Sequence, residues 1–282
     1  MKRFSFEIRK HFLTRCFLII ISSFIICSCV TTKDNVMTSE QKEALEIAEK
    51  EKEIGSAAFA KLAGKYGVLR DENLTAYLNK FGKSIAMYCA RQEFDYFFAV
   101  LDTDSVNAYS LPGGYILITK GALKALQTPG ELAGVIAHEL GHINKFHITN
   151  NVKIETKMNF FEILARFIAG PRQAVSTVAA QISDKIEERL FIEGFDSDTE
   201  FEADEYAGDL LTALNVNIAD YVSYLQRLEA RNGEEIMQEL DKTHPPMSER
   251  LEKLKAFSSS EIRTLPVSEN FNNFMNHLTS IE

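Results

Sequence analysis

Cysteine is the first shortage. Four occur in 282 residues, too few for the disulfide framework of a small secreted fold, and Cys16, Cys27 and Cys29 all crowd into one end. With that end set aside Cys89 has no partner, so no intrachain disulfide can form and the fold must rest on its core. Basic residues are also short: 31 lysines and arginines face 40 acids, for a formal charge of −9. That balance argues against nucleic acid as a partner and against anionic lipid held through a basic face. Long apolar runs are missing. The two densest, Cys16 to Ile26 and Met158 to Ile168, are both too short to cross a bilayer as helices. The chain carries no internal repeat, and its length suits one large domain better than two. Histidine is scarce enough to follow one residue at a time: beyond the first segment there are His138, His142, His147, His244 and His277.

Residues 1–28 read as a targeting segment. Lys2, Arg3, Arg9, Lys10 and Arg15 precede the apolar run, the order of a cleaved secretory signal; an uncleaved anchor is the alternative, for which the run is short. Ile26-Cys27-Ser28-Cys29 resembles a bacterial lipobox, with an aliphatic residue three before the cysteine and a small one just before it. On that reading Cys29 carries lipid, residues 29–37 form a polar tether, and the protein is held to a membrane of the bacterial cell envelope. Val30 rather than an aspartate follows the cysteine, which by resemblance to enterobacterial sorting favours the periplasmic face of the outer membrane.

The chemistry starts at His138-Glu139-Leu140-Gly141-His142. On a helix, positions i and i+4 share a face, so both imidazoles can close on one metal ion. Thr128-Pro129-Gly130-Glu131 supplies the helix start, with Thr128 as cap, Pro129 in the first turn and Glu131 reaching back. Leu132, Val135, Ile136, Leu140 and Ile143 then recur at helical spacing. Two imidazoles leave a Zn²⁺ short of ligands, and Glu200 can supply a third from a second helix while one position stays open for water. Glu139 can take the proton of that water as it attacks a carbonyl carbon. Asp204, four residues after Glu200, can accept the free N–H of a zinc-bound imidazole, whereas Glu202 points elsewhere. A solvated acidic face is the plainer account of such a run, but Ala203, Ala207 and Leu211 give the same helix an apolar stripe suited to close packing. His147, five residues past His142, is turned away from that face and reads as an ordinary surface or helix-end residue with no role.

Together these segments resemble the zinc metallopeptidase family of the CAAX prenyl proteases and the heat-shock protease HtpX, in its soluble periplasmic lipoprotein branch. Two further stretches match it: Asn107 to Gly114, and Thr243-His244-Pro245-Pro246 with Arg250. The resemblance runs from about Glu53 to Leu254. It implies an α+β zincin-like fold, mostly helical with a small β-sheet beside the active-site helix. It also implies one Zn²⁺ per chain on His138, His142 and Glu200, Glu139 as catalytic base, and His244 and Arg250 near the metal. His244 is left with two roles, stabilising an oxyanion or blocking the open zinc position in a latent form. The activity implied is endopeptidase cleavage of unfolded or misassembled envelope proteins in quality control. The alternative is a chaperone-like outer-membrane assembly factor in which binding rather than cleavage matters, although a pure binder has no need of Glu139.

Elsewhere the pattern predicts a helix capped by Thr38 and a second after Asp71, with Leu74, Tyr77, Leu78, Phe81 and Ile85 at helical spacing. Strands follow within Phe94 to Leu101, Val106 to Leu111 and Tyr115 to Thr119. An edge strand around Asn107 and Ala108 could hold an extended peptide by main-chain hydrogen bonds, an ordinary hairpin being the plainer alternative. Met158 to Ile168 is expected as a packed or lid helix, with further helices at Ile218 to Leu228, Glu234 to Leu240 and Ser248 to Phe257. The peptidase domain spans residues 38–257, and residues 258–282 are a polar tail expected as a surface strap. Metabolic labelling with an alkynyl fatty acid should mark the protein in cells and fail to mark Cys29→Ala, which should accumulate as precursor or leave the membrane fraction; an unlabelled parent would refute the lipobox reading.

Overall fold

The computed structural model describes residues 38–151, 184–257 and 264–281; the signal segment, Cys29, the tether and the Met158 to Ile168 stretch lie outside them. The chain divides into Met1–Ala44 and Leu45–Glu282, and the sheet and the candidate site belong to the second unit. Helix α1 (Ser39–Tyr66) begins before that division, and beyond it buries Ala48, Ile54, Ala58 and Leu62. Helix α2 (Glu72–Ala86) starts where Asp71 Oδ1 accepts from the backbone N–H groups of Asn73 and Leu74 at 2.9 and 3.0 Å, the satisfaction that exposed first-turn donors require.

Three short strands follow: β1 (Phe97–Leu101), β2 (Ala108–Leu111) and β3 (Tyr115–Thr119). Their order is β1-β3-β2, with β1 parallel and β2 antiparallel to β3. Strand β2 is therefore an edge, as its sequence led one to expect. The turn between β2 and β3 uses Gly113 at φ 78° and Gly114 at φ 90°, and a Cβ on Gly113 would come within 2.4 Å of Lys52 Cα. Only glycine lets that hairpin tip seat on α1.

After α3 (Lys120–Lys124), helix α4 (Pro129–Asn144) runs through the middle of the unit with every residue from Pro129 to Ile143 buried. Thr128 Oγ1 accepts from Glu131 N at 3.2 Å, and Glu131 Oε2 reaches back to Gln127 N at 2.7 Å, one residue earlier than a standard box. A helix apolar or small on all sides can only be surrounded. Its neighbours are β2, α2, α6 (Ser197–Ala213) and α7 (Ile218–Glu229), while α5 (His147–Asn151) follows after a sharp turn. Helices α8 (Gln238–Thr243) and α9 (Met247–Leu254) carry His244 at the end of the first and Arg250 on the second; α9 starts at Pro246 without a side-chain cap. The architecture is α+β and zincin-like, mostly helical with a small mixed sheet beside the central helix.

The tail corrects one expectation. Residues Glu269–Ser280 form α10, capped by Ser268 Oγ on Phe271 N at 3.2 Å, with Phe271, Phe274 and Leu278 buried. Phe274 stacks on Tyr77 of α2 at 4.6 Å between ring centroids, and His277 Nε2 meets Asp71 Oδ2 at 2.6 Å. Phe271, Phe274 and Leu278 sit at i, i+3 and i+7, a helical stripe that the polar residues between them hid.

Asp71 thus caps one helix and ties down another. Asp71→Ala should lower stability by about 1 kcal/mol through the lost cap alone, read from urea unfolding. Backbone donors at Leu74, then His277, hold the Asp71 carboxyl below its ordinary 3.8. Its contribution is therefore complete above that value and should be lost only as pH falls below it, an acid-limb difference that the alanine variant should lack.

Candidate metal centre

The site is assembled on the facing surfaces of α4 and α6. Asp196 starts α6 by accepting from Thr199 N at 2.8 Å, which phases the helix so that Glu200 and Asp204, one turn apart, both point into α4. The helices approach closely because the contact residues are small: Ala203 and Ala207 are fully buried, and a Cβ on Gly141 would come within 2.9 Å of the Ala203 carbonyl oxygen. His138 and His142 then meet across one turn, Nε2 to Nε2 at 3.1 Å.

Glu200 is wholly buried, and neither of its oxygens accepts a hydrogen bond. Oε2 lies 3.5 Å from His138 Nε2 and 3.6 Å from His244 Nε2; Oε1 lies 3.4 Å from His142 Nε2. His138, Glu200 and His244 each bring one ligand atom within 4.8 Å of the other two. Ligand atoms about 2.0–2.1 Å from a tetrahedral zinc would sit about 3.4 Å apart, so separations of 3.1–3.6 Å fit one ion, and those to Glu200, at 3.4–3.6 Å, are too long for good hydrogen bonds. A buried carboxylate without a donor is costly, and a cation among these four side chains would satisfy it. Burial would push the Glu200 carboxyl up, but the histidine cluster, His244 foremost, holds it well below its ordinary value.

Asp204 is satisfied differently. Arg250, 2 % exposed, grips it with Nε on Oδ2 at 2.8 Å and Nη2 on Oδ1 at 2.7 Å, and Nη2 also donates to Tyr221 Oη at 2.8 Å. His138 Nδ1 lies 2.9 Å from the same Oδ1. The 3.3 Å approach of Arg250 Nη2 to His138 Nδ1 is then two donors sharing one acceptor, because arginine cannot accept. His138 is left with its lone pair on Nε2, facing Glu200. Burial opposes ionisation of Asp204, yet Arg250 outweighs it and the carboxyl stays down at about 2.

Glu139, one position on from His138, lines the same cleft next to Ser110 of β2, and burial pushes its carboxyl up to about 7. Two pockets meet at this residue. One, lined by Val106, Ala122, Val135, Tyr224, Leu225 and Leu228 among others, is apolar and reaches His138 and Arg250; the other carries Ser110, Arg189 and Phe195 and reaches His142. Asn107 and Ala108 stand at the first. Asn107 faces β3, with N on Thr119 Oγ1 and O accepting from Thr119 N, so alternation turns the main-chain groups of Ala108 and Ser110 outward. The Ala108 N–H is capped by Asn107 Oδ1 at 2.9 Å, while Asn107 Nδ2 is buried with no acceptor.

The profile of peptidase family M48 matches residues 70–258. The chain belongs to peptidase family M48. Members of the family depend on a metal, typically zinc, in keeping with the donor set above. Among individual relatives, the metalloprotease YcaL of Escherichia coli K12 is 28% identical over 162 residues, 56% of this chain and 60% of its own. The metalloprotease LoiP of the same strain is 26% identical over 156 residues, 55% and 60% of the two chains. A putative beta-barrel assembly-enhancing protease of Vibrio cholerae is 23% identical over 158 residues, 54% of this chain and 32% of its own. The chain therefore spans less than two thirds of the length of the relatives it matches.

Within this M48 chain the structure brings His138, Glu139, His142, Glu200, Asp204, His244 and Arg250 into one cluster with Asn107 and Ala108 at its rim; Cys29 lies outside the described residues. Tyr221 was missed, and no spacing signal marked it. His147 needs correcting. It is not a surface residue: it is 5 % exposed, with Nδ1 2.9 Å from His142 Nδ1 and Nε2 3.2 Å from Glu202 Oε2, because the chain kinks at Phe146 and helical phase no longer applies. Arg250→Leu should cost about 3–5 kcal/mol in urea unfolding of the metal-free protein, since it strands Asp204 as a buried charge, and adding Asp204→Leu should return part of that loss.

Proposed function

We propose that the protein is a zinc-dependent endopeptidase of the bacterial cell envelope, with one Zn²⁺ per chain held by His138, His142 and Glu200. The observation that carries this reading is the pair of unsatisfied, fully buried Glu200 oxygens facing the two Nε2 atoms, with Glu139 alongside. Zinc held there supplies Lewis-acid polarisation of a carbonyl and acidifies water. Glu139 accepts the proton of the attacking water and returns it to the leaving amine. A peptide laid along β2 pairs with the outward groups of that edge, Asn107 Nδ2 donates to one of its carbonyls, and the apolar pocket beside His138 takes an apolar side chain next to the scissile bond. Asp204 and Arg250 hold His138 in the required tautomer.

The substrates proposed are unfolded or misassembled envelope proteins, a class suggested by the relative named for β-barrel assembly. Among the described residues no helix is long and apolar enough to cross a membrane, and lipid on Cys29 is the proposed attachment, at the periplasmic face of the outer membrane. A chaperone-like assembly role is the second reading, separable because it survives loss of cleavage. His244 is proposed as a latency switch, since its Nε2 stands at ligand-like distance from Glu200.

Glu139→Gln should keep its zinc and lose hydrolysis of an unfolded casein; parent-rate cleavage would sink the mechanism, whereas an inactive variant that still supports envelope assembly would favour the chaperone reading. His244→Ala should retain zinc and cleave faster than the parent. A fall of roughly a hundredfold would mark it instead as an oxyanion donor.

A further inference from the structure

His142 has a second partner that the peptidase reading leaves unexplained. If its Nε2 faces the metal, its proton sits on Nδ1, and the atom 2.9 Å from that proton's nitrogen is His147 Nδ1. His147 Nδ1 must then carry a lone pair, which puts the proton of His147 on Nε2, directed at Glu202 Oε2 3.2 Å away. One arrangement of hydrogens satisfies all three groups. The chain His142, His147, Glu202 mirrors the shorter pair that His138 makes with Asp204.

The backbone is strained to make this contact. Helix α4 ends at Asn144, and Phe146 then takes φ 59°, a left-handed conformation that favours glycine or asparagine and is an outlier for a bulky residue. The kink turns His147 back over His142 instead of continuing the helix away from it. Arg91 holds the kink in place: its guanidinium lies between the rings of Phe94 and Phe146, 4.2 Å from each centroid. Arg91 N also donates to Asn144 Oδ1 at 3.1 Å. Arg91 is itself paired to the fully buried Glu51, whose other oxygen accepts from Thr149 Oγ1 at 2.8 Å on the far side of the kink. Strain maintained by a buried ion pair beside a functional cluster points to a positional requirement. Phe195 completes the setting, stacked on the His142 ring at 4.6 Å.

We propose that His147 is a positioning residue, fixing the tautomer and ring orientation of His142 so that Nε2 is presented to the metal, and that the Arg91-clamped kink at Phe146 exists to place it. This rests on the zinc reading above. Partners of this kind change metal affinity by roughly 10- to 100-fold. Zinc-loaded parent and variants should therefore be challenged with a chromophoric chelator and the release rate followed. His147→Ala should release zinc roughly 10- to 100-fold faster. His147→Asn, whose Oδ1 can stand where Nδ1 stood and still accept from His142, should stay within a few-fold of the parent. Equal loosening in both variants, or parent-rate release from the alanine form, would overturn the proposal. The imidazole ¹⁵N spectrum of the zinc-loaded parent decides without any variant: His142 should carry an exchange-protected proton on Nδ1, and a proton on Nε2 would overturn the assignment. A parent that binds no zinc defeats the metal reading itself, and this inference with it; a zinc-binding parent that fails these tests defeats only the role of His147.

Discussion

Two carboxylates one helical turn apart, both withdrawn from water, set the terms for the rest of the molecule. Burying an ion costs several kcal/mol unless opposite charge is brought to it, and Glu200 and Asp204 are each at most 1 % exposed. Asp204 is answered from within the chain, by a guanidinium delivered from α9. Among the described residues Glu200 meets imidazole nitrogens at 3.4–3.6 Å and Arg250 Nη1 at 3.8 Å, all beyond good hydrogen-bond range. The asymmetry between adjacent turns of α6 separates a charge the fold neutralises for itself from one it leaves for a cation.

Much of the packing follows from meeting those two demands. α6 must approach α4 within the thickness of an alanine, so the contact is made of Ala203, Ala207 and Gly141. α7 must come near enough for Tyr221 to accept from Arg250, and α9 must cross over both. The central helix is consequently buried from Pro129 to Ile143, and among the described residues Glu139 lines the cleft beside β2. The cleft is what remains once the charges have been matched, which is why its walls are rigid helices and a hairpin tip seated on α1.

How far this could be read from the chain depended on whether a feature was local. His138, Glu139 and His142 follow from helical phase, as does the pairing of Glu200 with Asp204, and the hairpin of β2 and β3 follows from turn residues at Pro112 to Gly114. The grip of Arg250 on Asp204 spans 46 residues and carries no periodicity; the family resemblance placed it near the metal without saying what it touches. His147 failed for a sharper reason. Counting five residues along an ideal helix turns it away, and nothing in Lys145-Phe146 announces that a phenylalanine will accept a left-handed backbone. The cause lies at Arg91 and Glu51, far back in the chain. α10 was overlooked because its three apolar residues are diluted by asparagines, so average polarity concealed a regular stripe.

That last helix separates two boundaries that are easily taken as one. The stretch shared with the peptidase family ends at residue 258, yet Phe271, Phe274 and Leu278 lie beyond it and cover the outer face of α2. A chain cut where the shared stretch ends would keep every metal-facing side chain and leave Tyr77 and Phe81 facing water, a sticky patch on a helix that itself packs against β1 and α4. Such a fragment would fail by self-association rather than by loss of chemistry. The unit that must be inherited together is therefore longer than the segment that carries the reaction.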